Sequence, residues 1–201
     1  MNKVIHKLFP SPVFQFKVKN FENLNKQLSD YIYGLKNNDE KGVQRSNVNG
    51  WHSKNFKIEK DNIPYNFVKS IHAYVKEVIV DGFGWKYVPE KVGVSEIWAI
   101  INKKGTFNSS HNHPGSYLSA AYYVKAPNNC GNIHFYDPNE IKKFNSPSTE
   151  KLTELSTSGF SIKPEEGHLL IFPSYLYHDV GKSLSDEDRI VISFNVSILP
   201  N

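Results

Sequence analysis

The stretch Ser110-His111-Asn112-His113-Pro114-Gly115 leads within a few residues into Ser119-Ala120-Ala121-Tyr122-Tyr123-Val124. The second run, small, aromatic and β-branched, reads as a strand. The first offers two imidazoles one residue apart. On extended chain, residues i and i+2 point to the same side, so His111 and His113 are expected to share one face, with Asn112 turned away. Far downstream a third imidazole, His178, follows another strand-like run, and Arg189 opens a last apolar strand. Converging, these pieces would hold one metal ion beside a cation suited to an acidic co-substrate.

Composition bounds the rest. A chain of 201 residues suits one domain with one core, taken as residues 1–201 throughout. Thirteen Phe, eleven Tyr and three Trp favour β-structure over a helical bundle. The single cysteine excludes an internal disulfide and points to a reducing, cytoplasmic setting. No run approaches the ~20 apolar residues of a membrane helix, and Met1–Pro10 is too poor in apolar residues for a signal peptide. A net charge of +4 invites a nucleic-acid partner, but the lysines are scattered without a basic block, so a solvated surface is the better reading.

Working along the chain, residues 8–19 open with two prolines, and Phe14, Phe16 and Val18 then share one face at period two: an early strand, expected at a sheet edge. That edge leaves a homodimer open. From Asn20 to about Lys36, Phe21, Leu24, Leu28, Tyr31, Ile32 and Leu35 recur at steps of three and four, a helical stripe with Asn20 as the expected N-cap. Residues 37–50 read as a polar loop. The segment Arg45–Ser53 carries Trp51 either as the anchor of a structured loop or as part of a substrate-side loop. A second helix is expected over Ile63–Gly82, with Pro64 in its first turn.

Beyond residue 90 come only short runs broken by Gly, Pro, Asn and Asp: Lys91–Asn102, Ser116–Lys125, Asn132–Tyr136, Gly159–Lys163, His168–Phe172 and Ile190–Leu199. The polar stretch Asp137–Ser158 reads as a lid or insertion. The expected architecture is mainly β (α+β), with residues 1–90 supplying a strand and buttressing helices and residues 91–199 a sandwich or small barrel.

Three histidines presented by such a framework would leave positions open on one side of a metal, as non-haem Fe(II) oxygen chemistry requires. In order, Trp98, Asn102, Gly105, His111-Asn112-His113-Pro114, Leu118–Val124, Gly131–Pro138, Gly167–Pro173, His178-Asp179-Val180 and Arg189–Val196 resemble the 2-oxoglutarate-dependent Fe(II) oxygenases. The likeness is to their prolyl-4-hydroxylase-like branch, and more narrowly to a bacterial and phage group of 2OG-Fe(II) oxygenases. Ser46-Asn47 and Gly50–Ser53 also look like that narrower group.

The resemblance implies a double-stranded β-helix (jelly roll, cupin-like) with the two N-terminal helices packed on one sheet. It implies His111 and His178 as first and last iron ligands, with Arg189 on the distal carboxylate of 2-oxoglutarate, Tyr123 adding its hydroxyl and Asn102 near the keto-acid end. The chain departs from the family where His113 stands, since a carboxylate is usual there. Either His113 is the third ligand, or Asp137 or a bound anion completes the sphere. The implied activity couples oxidative decarboxylation of 2-oxoglutarate, with O2, to C–H oxidation of a peptidyl or small-molecule substrate that the sequence does not identify. A three-histidine dioxygenase working without 2-oxoglutarate, and a non-catalytic jelly-roll binding module, are the competing readings.

Overall fold

The computed structural model describes residues 3–139, 141–144 and 146–199. Within the expected insertion Asp137–Ser158, Glu140 and Asn145 therefore lie outside the described residues, as do Met1, Asn2, Pro200 and Asn201.

The early strand is β1 (Phe14–Lys17), and it leads into helix α1 (Phe21–Asn38). Asn20 sits at the expected N-cap position but in the left-handed region (φ 53°), and its side chain makes no cap hydrogen bond. The capping expectation is thus corrected: an N-cap needs extended backbone to aim its side chain at the first free N–H groups. Helix α2 (Ile63–Glu77) does have such a cap, Asn62, whose side chain accepts from Tyr65 N–H at 2.9 Å, with Pro64 in the first turn as anticipated. The α-helix stops short of Gly82 because Val78–Gly82 widens into a π-turn.

The region 37–50, expected to be loop, holds the two-residue strand β2 (Asn47–Val48), and β3 (Trp51–His52) follows. The later strands are β4 (Val92–Asn102), β5 (Phe107–His111), β6 (Leu118–Lys125) and β7 (Ile133–Tyr136). A four-residue helix α3 (Ile141–Phe144) separates these from β8 (Gly159–Ile162), β9 (His168–Pro173), β10 (His178–Val180) and β11 (Arg189–Ile198).

They form two antiparallel sheets. The six-stranded one has the order β1-β9-β6-β11-β4-β3 and the five-stranded one β2-β5-β10-β7-β8. The core of each, β4-β11-β6-β9 facing β5-β10-β7-β8, is the double-stranded β-helix, or jelly roll. As expected, β1 lies at a sheet edge.

Strand alternation divides the large sheet between two environments. Outward go Ile97, Ala99 and Ile101 of β4, Tyr122 and Val124 of β6, Leu169 and Ile171 of β9, and Ile190, Ile192 and Phe194 of β11. They pack on Leu28 and Ile32 of α1 and Phe67, Ile71 and Val75 of α2, so both helices cover one face of one sheet. A buried Asn25 fastens α1 in place by donating to Val124 O (2.8 Å) and accepting from the Tyr122 hydroxyl (2.6 Å). The inward residues Ala121, Tyr123, Leu170, Phe172 and Val191 meet Ile133 and Phe135 of β7 across the sandwich. This second cluster is small because much of the interior is a cavity.

Candidate metal centre and co-substrate pocket

The cavity has a volume of about 690 Å³ and is lined by both sheets. His111 ends β5, and His178 begins β10 directly opposite it in the antiparallel register. Their ring centroids are 4.4 Å apart. His113 is not on the strand, because β5 stops at His111; the shared strand face anticipated for the pair is corrected accordingly. A loop carries His113, whose backbone N–H donates to Ser174 O at 2.9 Å beyond the end of β9. Its ring stacks on His178 (5.3 Å, 11°) and on Trp98 of β4 (5.7 Å, 28°). Asn112 lines the same cavity.

One nitrogen from each of His111, His113 and His178 lies within 4.8 Å of the others. The Nδ1–H of His111 donates to Ser109 O (2.8 Å) and that of His178 to Leu176 O (2.9 Å). These bonds fix the tautomer and leave an unprotonated Nε2 on each ring as the ligand atom. Burial pushes all three imidazoles below their usual range, His178 to about 3 and His113 to about 4, with the charge of neighbouring His111 adding to both. At neutral pH the cluster is uncharged, the state that ligates. Donor type, tautomer and spacing fit a divalent transition ion.

Arg189 is 2% exposed and lines the cavity. Its Nη1 donates to Asn102 Oδ1 at 3.1 Å, directly across the β11–β4 register, while its Nε has no partner. Tyr123 lies beneath it, with the guanidinium carbon 5.3 Å from the ring centroid and a buried hydroxyl that also lacks a partner. Burial raises the Tyr123 pKa against the opposing pull of Arg189, so the phenol keeps its proton. One orphaned donor on the cation and one on the phenol beside it are what an anionic ligand would satisfy. Asn102 and Tyr123 flank Arg189 without lining the cavity.

A polar chain joins the cation to the imidazoles. Asn102 Nδ2 donates to Asn108 Oδ1 (3.3 Å), Asn108 Nδ2 to Ser46 Oγ (3.2 Å), and Ser46 Oγ lies 3.5 Å from His111 Nε2. Residue types alone give Asn108 no signal, since it stands in a polar run that does not read as a strand. The loop around Trp51 is anchored by that residue and also contributes to the cavity wall. Trp51 is buried with Nε1 donating to Asp39 O (2.8 Å), while Ser46, Ser53, Lys54 and Asn55 line the cavity. His52, with no site role expected, also lines it and stacks on Trp98 (5.7 Å, 9°).

Asp137 is neither in the imidazole cluster nor on the cavity wall, and its Oδ1 accepts from Asn139 N–H (2.9 Å). Asp179 points elsewhere, accepting from the Tyr136 hydroxyl.

Residues 96–195 match a family model described as "Putative 2OG-Fe(II) oxygenase". No curated protein matches the chain by sequence. Among solved structures, the fold is similar to a prolyl-4-hydroxylase from Pseudomonas putida, at 11% identity and TM-score 0.65 over 94% of each chain. It is also similar to the viral collagen prolyl hydroxylase of Paramecium bursaria Chlorella virus-1 in its 2OG complex, at 14% identity and TM-score 0.59 over 93% of this chain and 96% of that one. HygX from Streptomyces hygroscopicus, with nickel and 2-oxoglutarate bound, aligns at 10% identity and TM-score 0.63 over 94% of this chain and 83% of that one. At such identities the three structures speak for the fold, and the family match speaks for the chemistry.

Proposed function

The chain belongs to the 2OG-Fe(II) oxygenases, and on that premise we propose that His111, His113 and His178 hold the iron while Arg189, with Tyr123 beside it, holds the distal carboxylate of 2-oxoglutarate. The observation that carries this reading is the buried Arg189, paired with no carboxylate among the described residues, in the same cavity as three imidazoles, two of them with the tautomer fixed by a backbone carbonyl. Iron and 2-oxoglutarate, when bound, supply O2 activation coupled to loss of CO2 and oxidation of a substrate C–H bond.

The protein's own share is positional. Carbonyls of Ser109 and Leu176 orient two ligand rings, and the Trp98 and His178 stacks orient the third. Asn102, bonded to Arg189, Thr106 and Asn108, keeps the guanidinium aimed and acts as a positioning residue rather than a ligand contact. Phe172, Ile133, Val180 and Val191 exclude water around the pocket; a drier site strengthens each charged contact. With three neutral ligands the ion keeps its full +2 charge, which favours a dianionic keto acid.

We extend the proposal to a hydroxylase of a peptidyl or small-molecule substrate in a reducing, cytoplasmic setting, supported by the single, buried Cys130. The edge position of β1 supports self-association, which light scattering would measure. Among the described residues no helix is long and apolar enough to cross a membrane.

The test is calorimetry of 2-oxoglutarate against protein loaded with Fe(II) or Ni(II), followed by an assay for succinate released with Fe(II) and O2. Metal-dependent binding and slow succinate release are expected. Absence of 2-oxoglutarate binding to metal-loaded protein would overturn the reading.

A further inference from the structure

Register orders the inner face of the large sheet. Arg189 pairs with Asn102 at one end, Ser193 with Trp98 in the middle, and Asn195 with Glu96 toward the other. Six residues of strand separate Arg189 from Asn195, roughly 20 Å at ~3.3 Å per residue. Trp98 stacks on His113. The imidazole cluster therefore lies between a cationic end at Arg189 and a second end at Glu96.

Glu96 is the one carboxylate among the described residues lining a cavity whose other charged side chains are Arg45, Lys54 and Arg189. No ion pair joins it to any of them; Lys54 is held by Asp39 at 2.8 Å. What holds Glu96 is a row of polar side chains crossing the sandwich interior. The Ser174 and Ser119 hydroxyls are 2.8 Å apart, Ser119 donates to Asn195 Oδ1 (2.9 Å), and Asn195 Nδ2 donates to Glu96 Oε2 (2.8 Å). Ser119, Ser174 and Asn195 are each at most 3% exposed. A polar row through an interior is retained only when fully satisfied, and this one runs out from the buried serines to the exposed carboxylate of Glu96, whose second oxygen has no partner among the described residues.

We propose that Glu96 is a specificity-determining residue that docks a protonated amine or guanidinium of the prime substrate. The class of substrate is thus a basic amino acid, free or within a peptide, oxidised at a carbon between its cationic group and the metal. This rests on the oxygenase reading in treating the ligand as a substrate; the docking contact itself does not depend on turnover.

The experiment uses the full chain loaded with Ni(II) and 2-oxoglutarate. L-Lysine, L-arginine and the blocked tripeptides acetyl-Gly-Lys-Gly-amide and acetyl-Gly-Arg-Gly-amide are titrated by ligand-observed NMR. L-Norleucine and its blocked tripeptide serve as uncharged counterparts. At least one cationic probe is expected to bind at least about fivefold more tightly than its norleucine counterpart. Glu96→Gln, which keeps an acceptor for Asn195, is expected to bring the two to parity while 2-oxoglutarate affinity stays within about twofold.

Equal binding of the norleucine probes, no binding by any cationic probe, or a preference that survives Glu96→Gln would each overturn the proposal. If 2-oxoglutarate fails to bind the wild-type protein, the oxygenase reading falls. The same probe series without 2-oxoglutarate then still decides on Glu96.

Discussion

Replacing Arg189 by Met should make the ligand-free protein more stable while abolishing its response to 2-oxoglutarate. Arg189 is 2% exposed, and among the described residues no carboxylate pairs with it. An uncompensated buried charge costs about 3–5 kcal/mol. Two contacts offset part of that: the bond to Asn102 Oδ1 at 3.1 Å, on the order of 1.5–3 kcal/mol, and the guanidinium over the Tyr123 ring at 5.3 Å, about 1 kcal/mol. Met recovers the packing of the aliphatic stem without the charge. Asn102 keeps its Nδ2 contacts to Thr106 and Asn108, so only its Oδ1 loses a partner.

The balance spans about −1 to +2.5 kcal/mol and centres on a gain of about 1 kcal/mol for Arg189→Met, or a Tm rise of roughly 2–4 °C for a domain of this size. Wild-type protein held at 100 times its Kd for 2-oxoglutarate should gain about 2.7 kcal/mol, and the variant nothing. Thermal denaturation of metal-loaded protein with and without 2-oxoglutarate measures both quantities. A ligand-free variant less stable than wild type by more than about 1 kcal/mol, or one that 2-oxoglutarate still stabilises, would refute the view that this cation is kept for an anion.

Three further outcomes follow from the geometry. His178→Ala and His113→Ala should each weaken Ni(II) binding at least about 100-fold by calorimetry, since each removes one of three converging nitrogens; a loss below about tenfold for His113→Ala would reduce the ligand set to two imidazoles. Gly131→Ala should destabilise by about 2–4 kcal/mol in urea denaturation, because Gly131 has φ +88° and an added Cβ would lie 2.1 Å from Gly181 O, forcing apart the segments that flank β7 and β10. Tyr122→Phe should cost about 1–2 kcal/mol by the same measurement, as it leaves the buried Asn25 Oδ1 without its donor; an unchanged midpoint would show that water replaces the hydroxyl.

Legibility in the sequence tracked apolar content. The helical stripes of α1 and α2 and the long strands β4, β6, β9 and β11 announce themselves because a buried face repeats at 3.6 or 2 residues. The strands that carry the chemistry do not. Phe107-Asn108-Ser109-Ser110-His111 and His178-Asp179-Val180 place the polar Asn108, Ser109, His111 and His178 on the cavity wall, and neither segment is among the apolar runs that mark strands. Glu96, Ser193 and Asn195 mislead in the same way. On alternating strands they look like solvent-side positions, yet all three line the cavity, Asn195 buried and Glu96 on its exposed side. Local rules fail here because the site needs polar groups where packing would put leucines. Arg189 was visible as the cation opening an apolar strand, whereas its link through Asn102, Asn108 and Ser46 to His111 joins residues far apart in sequence and exists only after folding.

The three imidazoles reach one point by different routes, and this bears on what a metal would do to the fold. His111 and His178 belong to neighbouring strands of the smaller sheet and are held by its register. His113 takes its position from the larger sheet, through the Ser174 carbonyl after β9 and the Trp98 ring on β4. A bound ion would therefore tie together both layers of the sandwich. Loss of His113 would remove the tie to the larger sheet and leave the pair on the smaller one. An aspartate at 113 would restore a ligand and lower the charge of the site by one, but it could not stack on Trp98 and His178. His113→Asp should accordingly retain metal while weakening 2-oxoglutarate, since one unit of attraction for the dianion is lost beside Arg189. Calorimetry of the two ligands in turn separates these effects. Tighter 2-oxoglutarate binding in that variant would mean that ring stacking, rather than site charge, is what the third histidine contributes.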